Sequence, residues 1–438
     1  MSDDFSALDA LTASDRSFAV YRIPGRTTIL LMQQEGRPES FETLAELNGR
    51  SGFVMAPFQS NATHPVVLIR SDQTFKGKNQ ILRFLKSLQK MECSEMVSSK
   101  PDSTKLEFSK PETSKTESSE MNSSKSEFTK GKCSVLVESP ESSSNNDYAV
   151  YKGAFELFLK ALHAGSCEKI VLSRTLQMSL PSTFSAGALF GTACEAYPDA
   201  FVYLCHTPLT GTWFGSTPEL LLSGENGSWQ TVALAGTRRF KDSEADWNAK
   251  TDGKGKADWN AKVDGKTKVK WGAKVDGNDK ADWDAKNIRE QQVVTSYLEK
   301  QLRIKNLIGS ISEPYTIRAG QLMHIKTDFR FEMPDQGCVG DLLDFLHPTP
   351  AVCGYPKSEA CRLILAHEGY DRSYYSGFAG PLNKEGKTDL YVNLRCASMK
   401  GKGLVLYAGG GLMPDSELKS EWEETEVKLQ TLLSLIHE

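Results

Sequence analysis

Apolar and polar side chains alternate along the first seventy residues, the period of a β-strand. In FAVYRIPGRTTILL, Phe18 to Leu31, the alternation is interrupted by Pro24-Gly25, which predicts a hairpin turning there. Gly52 to Phe58 followed by Val66 to Ile69 reads as further strand. Beyond residue 148 the period switches back and forth. Tyr151 to Ala164 carries an amphipathic helical stripe, and Lys169 to Leu172 and Phe201 to Leu204 are short apolar strand runs. The C-terminal SEWEETEVKLQTLLSLI places Trp422, Leu429, Leu432, Leu433 and Ile436 on one helical face. Strands grouped in blocks among helices predict an α+β fold rather than a doubly wound sheet.

Two stretches break this pattern. Residues 94–147 collapse to Ser, Lys, Glu and Thr, with Ser-Lys pairs at Ser99, Ser109, Ser114 and Ser124. Such a segment cannot bury enough surface to offset chain entropy and is expected to be disordered. In residues 241–285, A-D-W-N-A-K or a close variant recurs, with Trp247, Trp259, Trp271 and Trp283 spaced by twelve. Each unit has its own D-G turn signal, so the repeat reads as an expanded surface insertion looping into solvent, with a tryptophan-presenting ligand loop as the alternative. The chain divides accordingly into an N-terminal α+β part, residues 1–93, packing on a larger domain, residues 148–438, that carries the repeat.

Charge and cysteine content narrow the class. With 52 Lys plus Arg against 56 Asp plus Glu, the net charge of -4 gives no reason to expect nucleic acid or an anionic membrane as partner. A small molecule is the expected partner, and the oligomeric state stays open, a monomer being compatible. The first thirty residues carry Asp3, Asp4 and Asp9 and no basic start followed by an apolar run, so no secretory signal is expected. Nine cysteines without a C-x-x-C pair suit reduced thiols in a cytoplasm.

No G-x-G-x-x-G, P-loop or G-x-S-x-G occurs, which removes the usual support for nucleotide binding and serine hydrolysis. Other residues could carry chemistry. Lys169 opens the apolar strand KIVLSR, where burial would favour the neutral amine of a general base; a solvated strand-start lysine is the alternative. Glu219 in S-T-P-E-L-L-L stands at an apolar edge, where a carboxyl can stay protonated as a general acid, or simply cap a turn. Glu421 and Glu424, at i and i+3, share a helical face with Lys428 and could present oxygen to magnesium, or form an ordinary solvated face. Glu290, near the start of another amphipathic helix, could complete that site or be a plain first-turn glutamate. The run L-Y-A-G-G-G-L reads as three glycines after a strand, a carboxylate cradle or a tight turn.

In order along the chain, K-I-V-L-S-R, T-P-E-L-L-L, A-L-A-G-T-R-R, L-H-P-T-P-A-V-C-G, Y-V-N-L-R and A-G-G-G-L followed by E-W-E-E-T-E-V-K-L resemble the chorismate-utilising enzymes, and among them the isochorismate synthases. The resemblance covers about Tyr148 to Leu433. It implies a catalytic domain of antiparallel sheets with flanking helices, the active site in the cleft between them. It implies that Lys169 is the water-activating base, Glu219 the general acid, and Glu290 and Glu424 ligands of a magnesium cofactor, with Glu421 in the metal's outer shell. Gly236, Thr237, Ala351, Arg395 in the Y-V-N-L-R strand, Gly409, Gly410 and Lys428 match positions holding the carboxylates and ring of chorismate, and Tyr375 matches a tyrosine near its pyruvyl group. The aminating relatives usually carry glutamine where Lys169 stands or lysine where Ala235 stands, so this pair favours water as nucleophile and isochorismate as product, in menaquinone or siderophore biosynthesis. Salicylate synthases share the lysine, and a chorismate-binding protein without turnover is a further alternative. Gln291 stands where most relatives have histidine, and bears on how Glu290 is oriented.

Overall fold

The computed structural model describes residues 2–98, 141–239, 283–319, 322–333 and 336–436. The stretch 99–140 and the tryptophans Trp247, Trp259 and Trp271 lie outside these residues, and with them the expected solvent loop and most of the expected disorder; the two ends of the segment 94–147, residues 94–98 and 141–147, are instead helical, within Lys78–Ser98 and Glu141–His163.

Among the described residues the strands form two sheets, every pairing antiparallel. The first has nine strands in the lateral order Gly354–Tyr355, Lys169–Ser179, Gly403–Leu412, Cys396–Lys400, Gly211–Thr217, Phe201–Thr207, Ser17–Arg22, Ile29–Gln34 and Gln73–Lys76. The second runs Ser310–Ile311, Leu322–Glu332, Ser228–Arg239, Leu220–Glu225, Thr388–Val392, Phe378–Leu382, Gly52–Ala56, Val66–Ile69 and Glu39–Phe41, with Tyr315–Ala319 also on Leu322–Glu332. The hairpin expected at Pro24-Gly25 forms, Arg22 opposite Ile29, and Gly25 takes the left-handed φ of 66° that its turn requires. Residues 1–93 contribute strands to both sheets: Phe18 pairs with His206 in one, and Ala56 with Phe378 in the other.

The side-chain period of two explains the layering. Along Ser17–Arg22, Ala19 and Tyr21 enter a core shared with Phe53, Met55, Val67 and Ile69 of the second sheet, so the sheets pack face to face. Phe18 and Val20 point the other way, into a core with Phe190 and Leu429 from the helices Ala186–Ala196 and Leu418–Ile436. On the outer face of the second sheet, Val54, Ala56, Val66 and Leu68 pack with Val294 and Leu298 of the helix Ala285–Ile304 and with Leu342. The strands at the centre are therefore apolar on both faces, and helices cover each sheet from outside. Local chemistry sets the helix starts: Ser185 accepts from Ala188 N–H and Asp284 from Asn287 N–H. The helix predicted from Tyr151 begins earlier, at Glu141, and ends at His163.

Candidate active site

The chain leaves the first sheet for the second at Pro218-Glu219, between Gly211–Thr217 and Leu220–Glu225. It returns at Asn393–Arg395, between Thr388–Val392 and Cys396–Lys400. The two crossovers are hydrogen-bonded together, Val392 N–H donating to Glu219 O at 2.9 Å and Ser216 N–H to Arg395 O at 3.0 Å. A carboxyl and a guanidinium thus stand where the sheets meet. Arg395 lies in this bend, at φ 47°, and not in the Y-V-N-L-R strand where sequence placed it; the strand ends at Val392. The bend holds it in a conformation that L-residues rarely adopt.

A cavity opens at this junction. Glu219, Gly236, Thr237, Glu290, Ala351, Tyr375, Arg395, Gly409, Gly410 and Lys428 border it, together with Ala235. Glu219 is 6% exposed, and burial, opposed by Lys169, Lys428 and Arg395, pushes its carboxyl up to about 7. Lys169 is fully buried, its Nζ 3.0 Å from a Glu290 carboxylate oxygen.

The three glycines are where the structure departs most from expectation. Gly409, Gly410 and Gly411 lie inside the strand Gly403–Leu412, paired with Ser173, Leu172 and Val171, and form no turn. The neighbouring strand Cys396–Lys400 pairs only as far as Leu406, which leaves the opposite edge of the glycines beside the cavity. Their bareness admits side chains. A Cβ on Gly411 would stand 2.2 Å from Glu290 Oε1 and 2.7 Å from Lys169 Cε. One on Gly410 would meet Glu421 Oε2 at 3.2 Å and Glu424 Oε1 at 3.3 Å. Three carboxylates from two helices therefore reach one stretch of strand.

Each carboxylate has a lysine: Glu290 has Lys169, Glu421 has Lys286, and Glu424 has Lys428, whose Nζ donates at 2.6 Å and also reaches Gly409 O at 2.7 Å. Burial and the charge of Glu424 push Glu421 up to about 7, against Lys286. For Glu424, burial is outweighed by Lys428 and Lys286, so it stays below the usual carboxylate range. Among the described residues no three His, Cys, Asp or Glu side chains converge closely enough to cage a metal by themselves. Magnesium asks for less, one or two carboxylates with waters and a ligand anion completing six oxygens. The all-oxygen donor set around Gly410, with the buried Glu421 Oε2 lacking any hydrogen-bond partner, fits that demand.

Sequence reasoning missed His324. It borders the cavity, shares a hydrogen bond between Nδ1 and Gly236 O at 3.1 Å, and leaves Nε2 buried and unpartnered. Burial, with Arg395 and Lys428, lowers it to about 3, so it is neutral with Nδ1–H donating and Nε2 an acceptor. Only the strand alternation of LMHIKTDF could have flagged it, as an inward polar position. Gln291 turns away from Glu290, donating to Ala233 O at 3.0 Å and to Thr327 Oγ1 at 3.3 Å.

Comparison with known proteins agrees with this geometry. A family model described as chorismate binding enzyme matches residues 74–434. Isochorismate synthase EntC of Escherichia coli (strain K12) is 28% identical over 272 residues, 61% of this chain and 62% of that protein, so the chain spans about three fifths of that relative's length. The structure of the 2,3-dihydroxybenzoate-specific isochorismate synthase DhbC from Bacillus anthracis superposes with a TM-score of 0.66 over 100% of both chains at 20% identity. MenF, the menaquinone-specific isochorismate synthase from Escherichia coli, gives 0.61 at 18% identity, over 98% of this chain and 91% of that one. At those identities the likeness is one of fold. The family match, extending over most of the chain, decides the matter: this chain belongs to the chorismate binding enzyme family.

Proposed function

We propose that the protein converts chorismate to isochorismate. The observation that carries this reading is a buried carboxyl, Glu219, raised to about 7 at the cavity beside the small Ala235, with the fully buried Lys169 packed against the lining residues Glu290 and Gly411 and near enough to oppose that rise electrostatically. Lys169 takes a proton from a water attacking carbon 2 of the ring, the two double bonds shift, and Glu219 protonates the 4-hydroxyl, which leaves as water. One water enters and one departs, so the change is an isomerisation. Arg395 and Lys428 offer the cations that hold the substrate's carboxylates in a largely desolvated site. Glu290 and Glu424 would hold magnesium with Glu421 behind them, and the ion would supply positive charge for a substrate carboxylate. With Lys169 and without a lysine at Ala235, the cavity suits water rather than ammonia as nucleophile.

We assign the product to menaquinone synthesis; deletion of the gene in its host should deplete menaquinone, and loss of a catechol siderophore instead would overturn the assignment. We place the protein in the cytoplasm, in keeping with the free thiols of its seven described cysteines; among the described residues no helix is long and apolar enough to cross a membrane.

The test is incubation with chorismate and magnesium without an amine donor, with chromatography of the products and assay of pyruvate. Isochorismate without pyruvate, abolished by chelation and restored by magnesium, is the expected result. Salicylate with matching pyruvate would replace the reading with a salicylate synthase, and unchanged chorismate would leave a binding protein. Full turnover in excess chelator would remove the metal role of Glu290 and Glu424.

A further inference from the structure

Ser376 borders the cavity but has no part in the chemistry above. It is 0% exposed, its Oγ has no hydrogen-bond partner, and its backbone sits at φ 61°. Glycine would adopt that conformation without strain, and an apolar side chain would avoid the cost of a buried, unsatisfied hydroxyl. Serine is the wrong residue for this position on both counts, unless its hydroxyl has a partner that arrives with a ligand.

The surrounding structure holds it in place. Ser376 N–H donates to Asn393 O at 2.9 Å, and Asn393 N–H donates to Gly377 O at 2.8 Å. The Asn393 amide donates to Tyr374 O at 2.8 Å and accepts from Tyr203 Oη at 2.6 Å. Asn393 therefore locks the bend containing Ser376 to the bend that ends in Arg395, and both residues carry left-handed backbones. Ser376 and Arg395 border the same cavity, with Arg395 Nη1 also donating to Thr431 Oγ1 at 3.4 Å. Burial pushes the phenol of the adjacent Tyr375 up, and the Ser376 side chain, close enough to act on it as a weak hydrogen-bonding neighbour, works against that rise, yet the distance and angles do not make a formed hydrogen bond, so the Ser376 hydroxyl stays without a settled partner.

We infer that Ser376 Oγ donates a hydrogen bond to a carboxylate oxygen of the bound substrate, beside Arg395, and so positions a dicarboxylate in the cavity. A hydroxyl donor next to a guanidinium matches an anionic oxygen with several lone pairs better than it matches any neutral group. The inference rests on the proposed reading of the cavity as a chorismate site. It makes Ser376 a substrate-positioning residue whose strain is maintained for binding.

The experiment compares wild type, Ser376→Ala and Ser376→Gly by KM, kcat, chorismate dissociation constant and melting temperature. Loss of one hydrogen bond to a charged group should raise KM and the dissociation constant roughly tenfold in both variants, with kcat changed far less. Ser376→Gly should also melt above wild type, because the strain is gone while the contact is lost. Chorismate affinity within twofold of wild type in both variants would overturn the inference, as would an affinity loss in Ser376→Ala that accompanies a lower melting temperature and vanishes in Ser376→Gly. Wild-type turnover tests the reaction separately. A wild type that binds chorismate without converting it defeats the reaction and still allows Ser376 to be judged by affinity; one that does not bind it defeats both.

Discussion

Glu219 owes its proton affinity to its place on the chain crossover between sheets, where burial outweighs three nearby cations. The sign of the pH effect follows. Folding raises this acid from 4.5 to about 7, so between those values the folded state binds more protons than the unfolded one, and its contribution to stability falls as pH rises. As a general acid it works protonated, so kcat/KM should decline above about pH 7. Glu219→Gln keeps the shape, cannot donate an acidic proton, and should lower kcat by about 100- to 10,000-fold with the fold intact. A pH profile flat from 6 to 9 in the wild type, or an unimpaired Gln variant, would remove Glu219 from the chemistry. Lys169 needs a different substitution. It is fully buried against Glu290, and truncation to alanine would strand a buried carboxylate at a cost of about 3–5 kcal/mol. Lys169→Gln keeps a donor for Glu290 while removing the base, and should lose turnover by a similar factor while melting within a few degrees of wild type; retained turnover would disprove the assignment. That these two residues are buried could be read from sequence, because each sits at the edge of an apolar run, while the roles proposed for them came from the family resemblance. His324 and Ser376 were not legible there, because what marks them is a buried polar atom without a partner, which only the assembled cavity reveals.

The glycine strand shows how an element can be misread. A run of three glycines has no side-chain period to count, so the sequence could equally end a strand or turn a corner. The deciding fact is the close approach of Glu290 and Lys169 from other elements, which a Cβ on Gly411 would obstruct. Gly411→Ala should therefore destabilise the protein by about 1–3 kcal/mol through overpacking and abolish turnover by displacing the Lys169–Glu290 pair. Gly153 is the control: it lies in the helix Glu141–His163, with nothing within 4 Å of a Cβ built on it. Gly153→Ala should raise stability by about 0.5–1 kcal/mol and leave turnover alone. Thermal melts and initial rates of the two variants distinguish them, and a Gly411→Ala enzyme with normal melting and activity would refute the packing argument. The hairpin at Pro24-Gly25 and the C-terminal helix, by contrast, were readable because their signals are local: a turn dipeptide in one case, and in the other a 3.6-residue stripe that buries Leu429, Leu432 and Leu433.

At the scale of the molecule, the α+β class and the cleft between antiparallel sheets could be anticipated, whereas the membership of the N-terminal strands in both sheets could not. Phe18 finds His206, and Ala56 finds Phe378, far along the chain, and pairing over such separations leaves no local mark. The same scale decides what the tryptophan repeat does to the enzyme. Its two described flanks meet: the Arg238 guanidinium lies 5.4 Å from the centre of the Trp283 ring, and the indole N–H donates to Thr316 Oγ1 at 3.0 Å. Asp284, in the last unit of the repeat, caps the helix that carries Glu290. That last unit is thus part of the scaffold, while the preceding units are not needed to bring the strand end and the helix start together. Loop-closure entropy grows only with the logarithm of length, so replacing residues 241–281 with a short Gly-Ser linker should stabilise the fold by at most on the order of 2 kcal/mol. Turnover should stay within about twofold, because Glu290 keeps its helix cap, its lysine and its place beside Gly411. The measurement is kcat and KM of the shortened enzyme beside its melting curve. A folded but inactive protein would mean that the earlier units contribute to the cavity, and would turn the surface-insertion reading into the ligand-loop alternative.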